Sequence, residues 1–79
     1  MTPLNNVVLY TRKDCHLCED ACLTLRKYGL QPQLIDIDTD PGLVRLYDVV
    51  IPVVVIDGIE RFRGQVNEVL LKRLISANS

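Results

Sequence analysis

Apolar and polar positions along the chain change period several times, and each change marks a candidate element. Val7-Val8-Leu9-Tyr10-Thr11 is a short β-branched and apolar run, too short for a helix and suited to a strand covered on both faces. From Leu17 onward the period lengthens: Cys18, Ala21, Cys22, Leu25 and Tyr28 recur every three or four residues, the stripe of an amphipathic helix. Glu19 and Asp20 fall in its first turn and Arg26 and Lys27 in its last, and Gly29 follows where a left-handed residue ends a helix. Gln33 to Ile37 predicts a second strand. Asp40 and Pro41 then supply the N-cap and first residue of a short helix whose Leu43, Val44, Leu46 and Tyr47 make its apolar contacts. Val53 to Ile56 holds no polar residue and predicts a central strand, and Asp57-Gly58 predicts a two-residue hairpin into Ile59-Glu60-Arg61-Phe62. A last helix over about Asn67 to Ile75 is expected to bury Val66, Leu70, Leu71, Leu74 and Ile75.

The order β-α-β-α-β-β-α gives an α/β fold: two parallel strands joined by a right-handed helical crossover, then a hairpin and a closing helix. The expected product is a four-stranded mixed sheet flanked by helices. At 79 residues the chain suits one domain over 1–79, with no repeat, linker or low-complexity tract. Nine Lys and Arg against ten Asp and Glu give a net charge of −1, which is no footprint for nucleic acid or acidic lipid. Tyr10, Tyr28 and Tyr47 are spaced as aromatics at the edge of a core, and they build no stacking platform for bases. The longest apolar run, Val49 to Ile56, is broken by Pro52 and falls far below the ~20 residues of a membrane span. Met1 to Asn6 does not read as a secretory signal, so a reducing, cytoplasmic setting is expected, and Ser76 to Ser79 is expected to fray.

All three cysteines fall at Cys15, Cys18 and Cys22. A secreted disulfide scaffold spreads an even number along the chain, whereas these close only trivial loops; they point to chemistry. Cys15-His16-Leu17-Cys18 lies between the first strand and first helix, at the strand end where open α/β sheets meet ligands. A thiol at a helix N-terminus faces unpaired N–H groups and the positive dipole end, which favour the thiolate. Cys15 is therefore the candidate nucleophile, and Cys18, one turn further in, the thiol that resolves a mixed disulfide. Arg12, Lys13 and a protonated His16 favour that thiolate, and Asp14 opposes it. Such a dithiol needs no bound cofactor, only a protein or small-molecule disulfide as substrate and an external thiol reductant, and the chain is expected to act as a monomer. Two other readings stay open: a metal or iron-sulfur carrier on the same fold, and an interaction module whose cysteines are not catalytic.

The runs Leu9 to Cys18, Asp36 to Pro41 and Ile51 to Gly58 resemble the short bacterial glutaredoxin-like proteins of the thioredoxin superfamily, across nearly the whole chain. The resemblance implies a thioredoxin-like, glutaredoxin-like fold with Cys15 as nucleophile and Cys18 as resolving thiol. It implies a cis-proline at Pro52, which together with Ile51 presents backbone to an extended substrate. It also implies glutathione as co-substrate, with Arg12 where a basic residue contacts its carboxylate and the Gly64 backbone as a further carboxylate contact. The chain departs from the pattern in two places. His16 and Leu17 replace a Pro-Tyr pair, and Arg63-Gly64-Gln65-Val66 keeps one glycine of a Gly-Gly pair without the acid that follows it.

The remaining candidates have plainer readings. Cys22 is expected to serve as a small buried hydrophobe, with a third redox role or a ligand role as its alternatives. His16 is expected to be exposed and to tune the adjacent thiol. Asp36, Asp38 and Asp40 imitate the start of a calcium loop, but Pro41 stands where that loop needs glycine and Tyr47 where it needs glutamate, so strand-end and capping roles are expected.

Overall fold

The computed structural model describes residues 6–77. The readings made for Met1 to Asn5 and for the last two residues of the chain lie outside the described residues. Eight elements follow in order: β1 (Val7–Thr11), α1 (His16–Lys27), β2 (Gln33–Asp36), a 3-10 turn (Ile37–Thr39), α2 (Pro41–Tyr47), β3 (Val53–Ile56), β4 (Ile59–Arg63) and α3 (Glu68–Ala77). The sheet order is β2-β1-β3-β4. β1 runs parallel to β2, with Leu9 opposite Leu34, and antiparallel to β3, with Leu9 opposite Val54. β3 and β4 form the hairpin, irregular between Val54 and Val55. Asp57 and Gly58 at its turn both have positive φ, 51° and 82°, the conformation that matches a tight turn to the twist of its strands.

Alternation along the strands decides which side each helix covers. Val7 and Leu9 of β1 join Val54, Ile56 and Phe62 in one buried cluster with Ala21 and Leu25 of α1 and Leu71 of α3. On the opposite face Tyr10 meets Tyr47 of α2, ring centroids 4.7 Å apart. Neighbouring Val53 and Val54 point to opposite faces and are both fully buried, so β3 is covered on both sides, as its composition predicts. Gly29, at φ 82°, ends α1 after Tyr28 as the sequence indicates. No helix among the described residues is long and apolar enough to cross a membrane.

Four boundary or packing expectations are corrected. β2 stops at Asp36, because its side chain accepts the Asp38 N–H at 2.9 Å and turns the chain into the 3-10 segment, where Ile37 is fully buried. Leu46 is 66% exposed and α2 buries no residue; of its apolar side chains Leu43, Val44 and Tyr47 come partly under cover. α3 starts at Glu68, since Asn67 Oδ1 accepts the Leu70 N–H at 3.1 Å and so stands ahead of the helix; Val66 packs on the core from the loop before it. Leu70 is 46% exposed, whereas its neighbour Leu71 is fully buried as expected.

Candidate functional site

β1 delivers the chain to a tight bend at one end of the sheet. Asp14 takes a left-handed φ of 56°, a conformation aspartate tolerates better than most residues, and Cys15 follows in extended geometry as the N-cap of α1. In place of the usual oxygen, Cys15 Sγ accepts the Cys18 N–H at 3.2 Å, and the Cys15 carbonyl accepts the Glu19 N–H at 3.1 Å. The Cα atoms of Cys15 and Cys18 are 5.2 Å apart, and their sulfurs lie at disulfide-bonding distance. Cys15 is half-buried whereas Cys18 is 3% exposed, so Cys15 is the more accessible sulfur. Cys22 is a free thiol one turn further on, half-buried and packed on the core as a small hydrophobe.

Ile51 and Pro52 enter at the same end, because Val53 pairs with Tyr10 near the exit of β1. The Ile51–Pro52 peptide bond is cis, Pro52 is buried and Ile51 is half-buried. The Pro52 carbonyl accepts the Gly64 N–H at 2.7 Å, tying the start of β3 to the exit of β4. That bond commits the Gly64 amide, and the next helix in the chain begins at Glu68. Gly64 also lines a groove with Leu17, Asp20, Ala21 and Val66, between α1 and the chain leading to α3.

Arg12 is the larger surprise. Its Nε and Nη2 donate to Asp38 at 3.0 and 2.8 Å, and its Nη1 donates to Asp48 at 2.6 Å. The implied anion receptor therefore already carries two carboxylates. The hydrogen bonds from Arg12 hold the Asp38 carboxyl below the usual carboxylate range, and Asp38 and then Asp48 push the guanidinium further up. Asp38, expected at a strand end or as a cap, thus ties the 3-10 turn to the cysteine-bearing bend, and Asp48 ties the end of α2 to it. Asp36 and Asp40 do cap, through N–H groups of Asp38 and Gly42.

Lys13 is exposed, and so is His16 at 86%, with its ring nitrogens 3.9 Å from Glu19 and 3.8 Å from Asp20. Among the described residues no three His, Cys, Asp or Glu side chains converge as metal ligands. The arrangement offers two adjacent sulfurs, one accessible and supported by a backbone donor, at the sheet end where Ile51 and Pro52 enter.

Known proteins place this architecture. A family model described as Glutaredoxin-like domain (DUF836) matches residues 6–76. A protein from Nitrosomonas europaea, solved by NMR, is 26% identical and superposes with a TM-score of 0.82 over 95% of this chain and 94% of its own. A crystal structure from X. campestris is 29% identical, with a TM-score of 0.75 over 90% of this chain and 96% of its own. The fold is also that of NrdH-redoxin from Escherichia coli, a glutaredoxin-like protein with a thioredoxin-like activity profile: 20% identity, TM-score 0.68, 87% of this chain and 93% of that one. No curated protein sequence matches the chain.

Proposed function

The chain belongs to the glutaredoxin-like domain family, and from that premise and the geometry of its cysteines we propose that it is a small thiol–disulfide oxidoreductase. The observation that carries the reading is Cys15 Sγ at the mouth of α1, taking the Cys18 N–H at 3.2 Å and lying within bonding distance of Cys18 Sγ. In the reduced protein the same N–H and the helix dipole favour a thiolate on Cys15. That thiolate attacks one sulfur of a substrate disulfide; the substrate S–S bond breaks and its electron pair leaves on the other substrate sulfur, which takes a proton. Cys18, deprotonated, then attacks Cys15 Sγ, the mixed disulfide breaks, and the second substrate thiol departs. The protein is left with the Cys15–Cys18 disulfide, and an external thiol reductant restores the dithiol.

Ile51 and Pro52, at the same sheet end, are assigned to hold the substrate backbone, and Lys13 and His16 to tune the thiolate. The cycle belongs in a reducing cytoplasm, run by a monomer on protein or small-molecule disulfides. No bound cofactor is required, because the sulfurs carry both electrons. For glutathione as co-substrate, Arg12 is reached in competition with Asp38 and Asp48, and the Gly64 N–H already donates to the Pro52 carbonyl. The test is trapping with a disulfide-linked peptide, read by intact-mass spectrometry. Cys18→Ser is expected to accumulate a mixed disulfide on Cys15, and Cys15→Ser to show none; equal trapping by both contradicts the assigned order.

A further inference from the structure

The acidic residues of this chain are unevenly placed. Asp14 precedes Cys15, while Glu19 and Asp20 stand in the first turn of α1 and flank His16 at 3.9 and 3.8 Å. Asp20 also lines the groove beside Gly64, where the other charged side chain, Glu68, is paired with Lys27 at 3.0 Å. Arg12 offers no counterweight: its Nε, Nη1 and Nη2 all point at Asp38 and Asp48, and one guanidinium against two carboxylates leaves that cluster net negative. Lys13 is the remaining cation of the bend, and His16 adds charge only when protonated, facing two acids of its own helix.

We propose that this acidic rim makes the Cys15 site charge-selective: it exchanges with cationic or neutral disulfides and discriminates against anionic ones, with Asp38 and Asp48 setting the selectivity by masking Arg12. The proposal rests on the oxidoreductase reading and adds to it a substrate class. Negative potential around a nucleophile lowers the local concentration of an incoming anion and raises that of a cation, an effect of about tenfold or more at low ionic strength that fades as salt screens it. Two carboxylates at hydrogen-bond distance also hold Arg12 in place, so an incoming carboxylate meets a guanidinium whose charge is already offset.

The experiment uses pre-reduced protein in single turnover, so that the protein itself supplies the two electrons. Its rates are measured with cystamine, a dication, and with 3,3′-dithiodipropionate, a dianion of similar size. Each rate is divided by that of 2-mercaptoethanol with the same disulfide, which removes the intrinsic reactivity of the leaving thiol. The normalised rate with cystamine is expected to exceed that with the dianion by about tenfold at low salt, narrowing at high salt. In the Asp38→Asn/Asp48→Asn variant, with Arg12 unmasked, the ratio is expected to fall several-fold, while Asp57→Asn in the distant hairpin leaves it unchanged. Equal normalised rates, or a ratio unmoved in the folded double variant, overturn the proposal; should that variant not fold, the wild-type ratio and its salt dependence decide. No reaction with either disulfide overturns the oxidoreductase reading and the selectivity with it, an outcome distinct from charge indifference, in which both react.

Discussion

Cys15 does two things with one side chain: it caps α1 through Sγ, and it carries the sulfur assigned to attack. The two roles separate by substitution. Under reducing conditions Cys15→Ser keeps a capping atom and is expected to hold stability within about 0.5 kcal/mol, whereas Cys15→Ala loses the cap and about 0.5–2 kcal/mol. Both are expected to lose exchange, and urea unfolding beside a disulfide-exchange assay reads the two effects apart. The helix start and the three-residue spacing were legible in sequence, because both are local; the capping bond to Sγ was not, since a cap is ordinarily read from an oxygen-bearing side chain. Nor was the engagement of Arg12. Its partners lie 26 and 36 residues away, and only the register that sets Thr11 opposite Asp36 brings Asp38 within reach.

At the scale of elements, burial and not hydrophobicity sets what a leucine contributes. Leu25 on α1 is fully enclosed in the core cluster, and Leu25→Ala is expected to cost about 2–5 kcal/mol by urea denaturation. Leu46 on α2 is mostly in solvent, and Leu46→Ala is expected to change stability by less than about 0.5 kcal/mol. The sequence placed both leucines on apolar stripes. It distinguished them poorly because a seven-residue helix turns too few times for its period to say which flank meets the sheet. The stripe of α1 repeats over twelve residues and gives a firm face, and the β-branched composition of β3 announces a covered strand. The 3-10 turn escaped notice because it is made by one side chain, Asp36, competing with the ladder that an apolar pattern alone would extend to Ile37.

Across the whole molecule, ion pairs between distant segments make stability depend on acid. Asp38 is held below its ordinary value by hydrogen bonds from Arg12, and Glu68 by those from Tyr28 and then Lys27. A carboxylate whose folded pKa is depressed contributes stability that is fully present above its ordinary value, near pH 4, and is lost as pH falls through the folded value. Thermal midpoints are therefore expected to be flat from about pH 7 to about pH 5 and to fall below about pH 4. The Asp38→Asn/Glu68→Gln variant is expected to show a shallower fall, and ~1 M salt to reduce the difference, since these pairs are solvent-exposed. A fall of the same steepness in the variant assigns the acid limb to other groups.

The account as a whole turns on which sulfurs exchange electrons. The most direct measurement mixes fully reduced protein with a limiting disulfide, alkylates what remains free, and maps the products by mass spectrometry. The account predicts one internal bond joining Cys15 to Cys18, with Cys22 alkylated. A bond that includes Cys22, or a protein that stays wholly alkylated while the added disulfide remains intact, contradicts it.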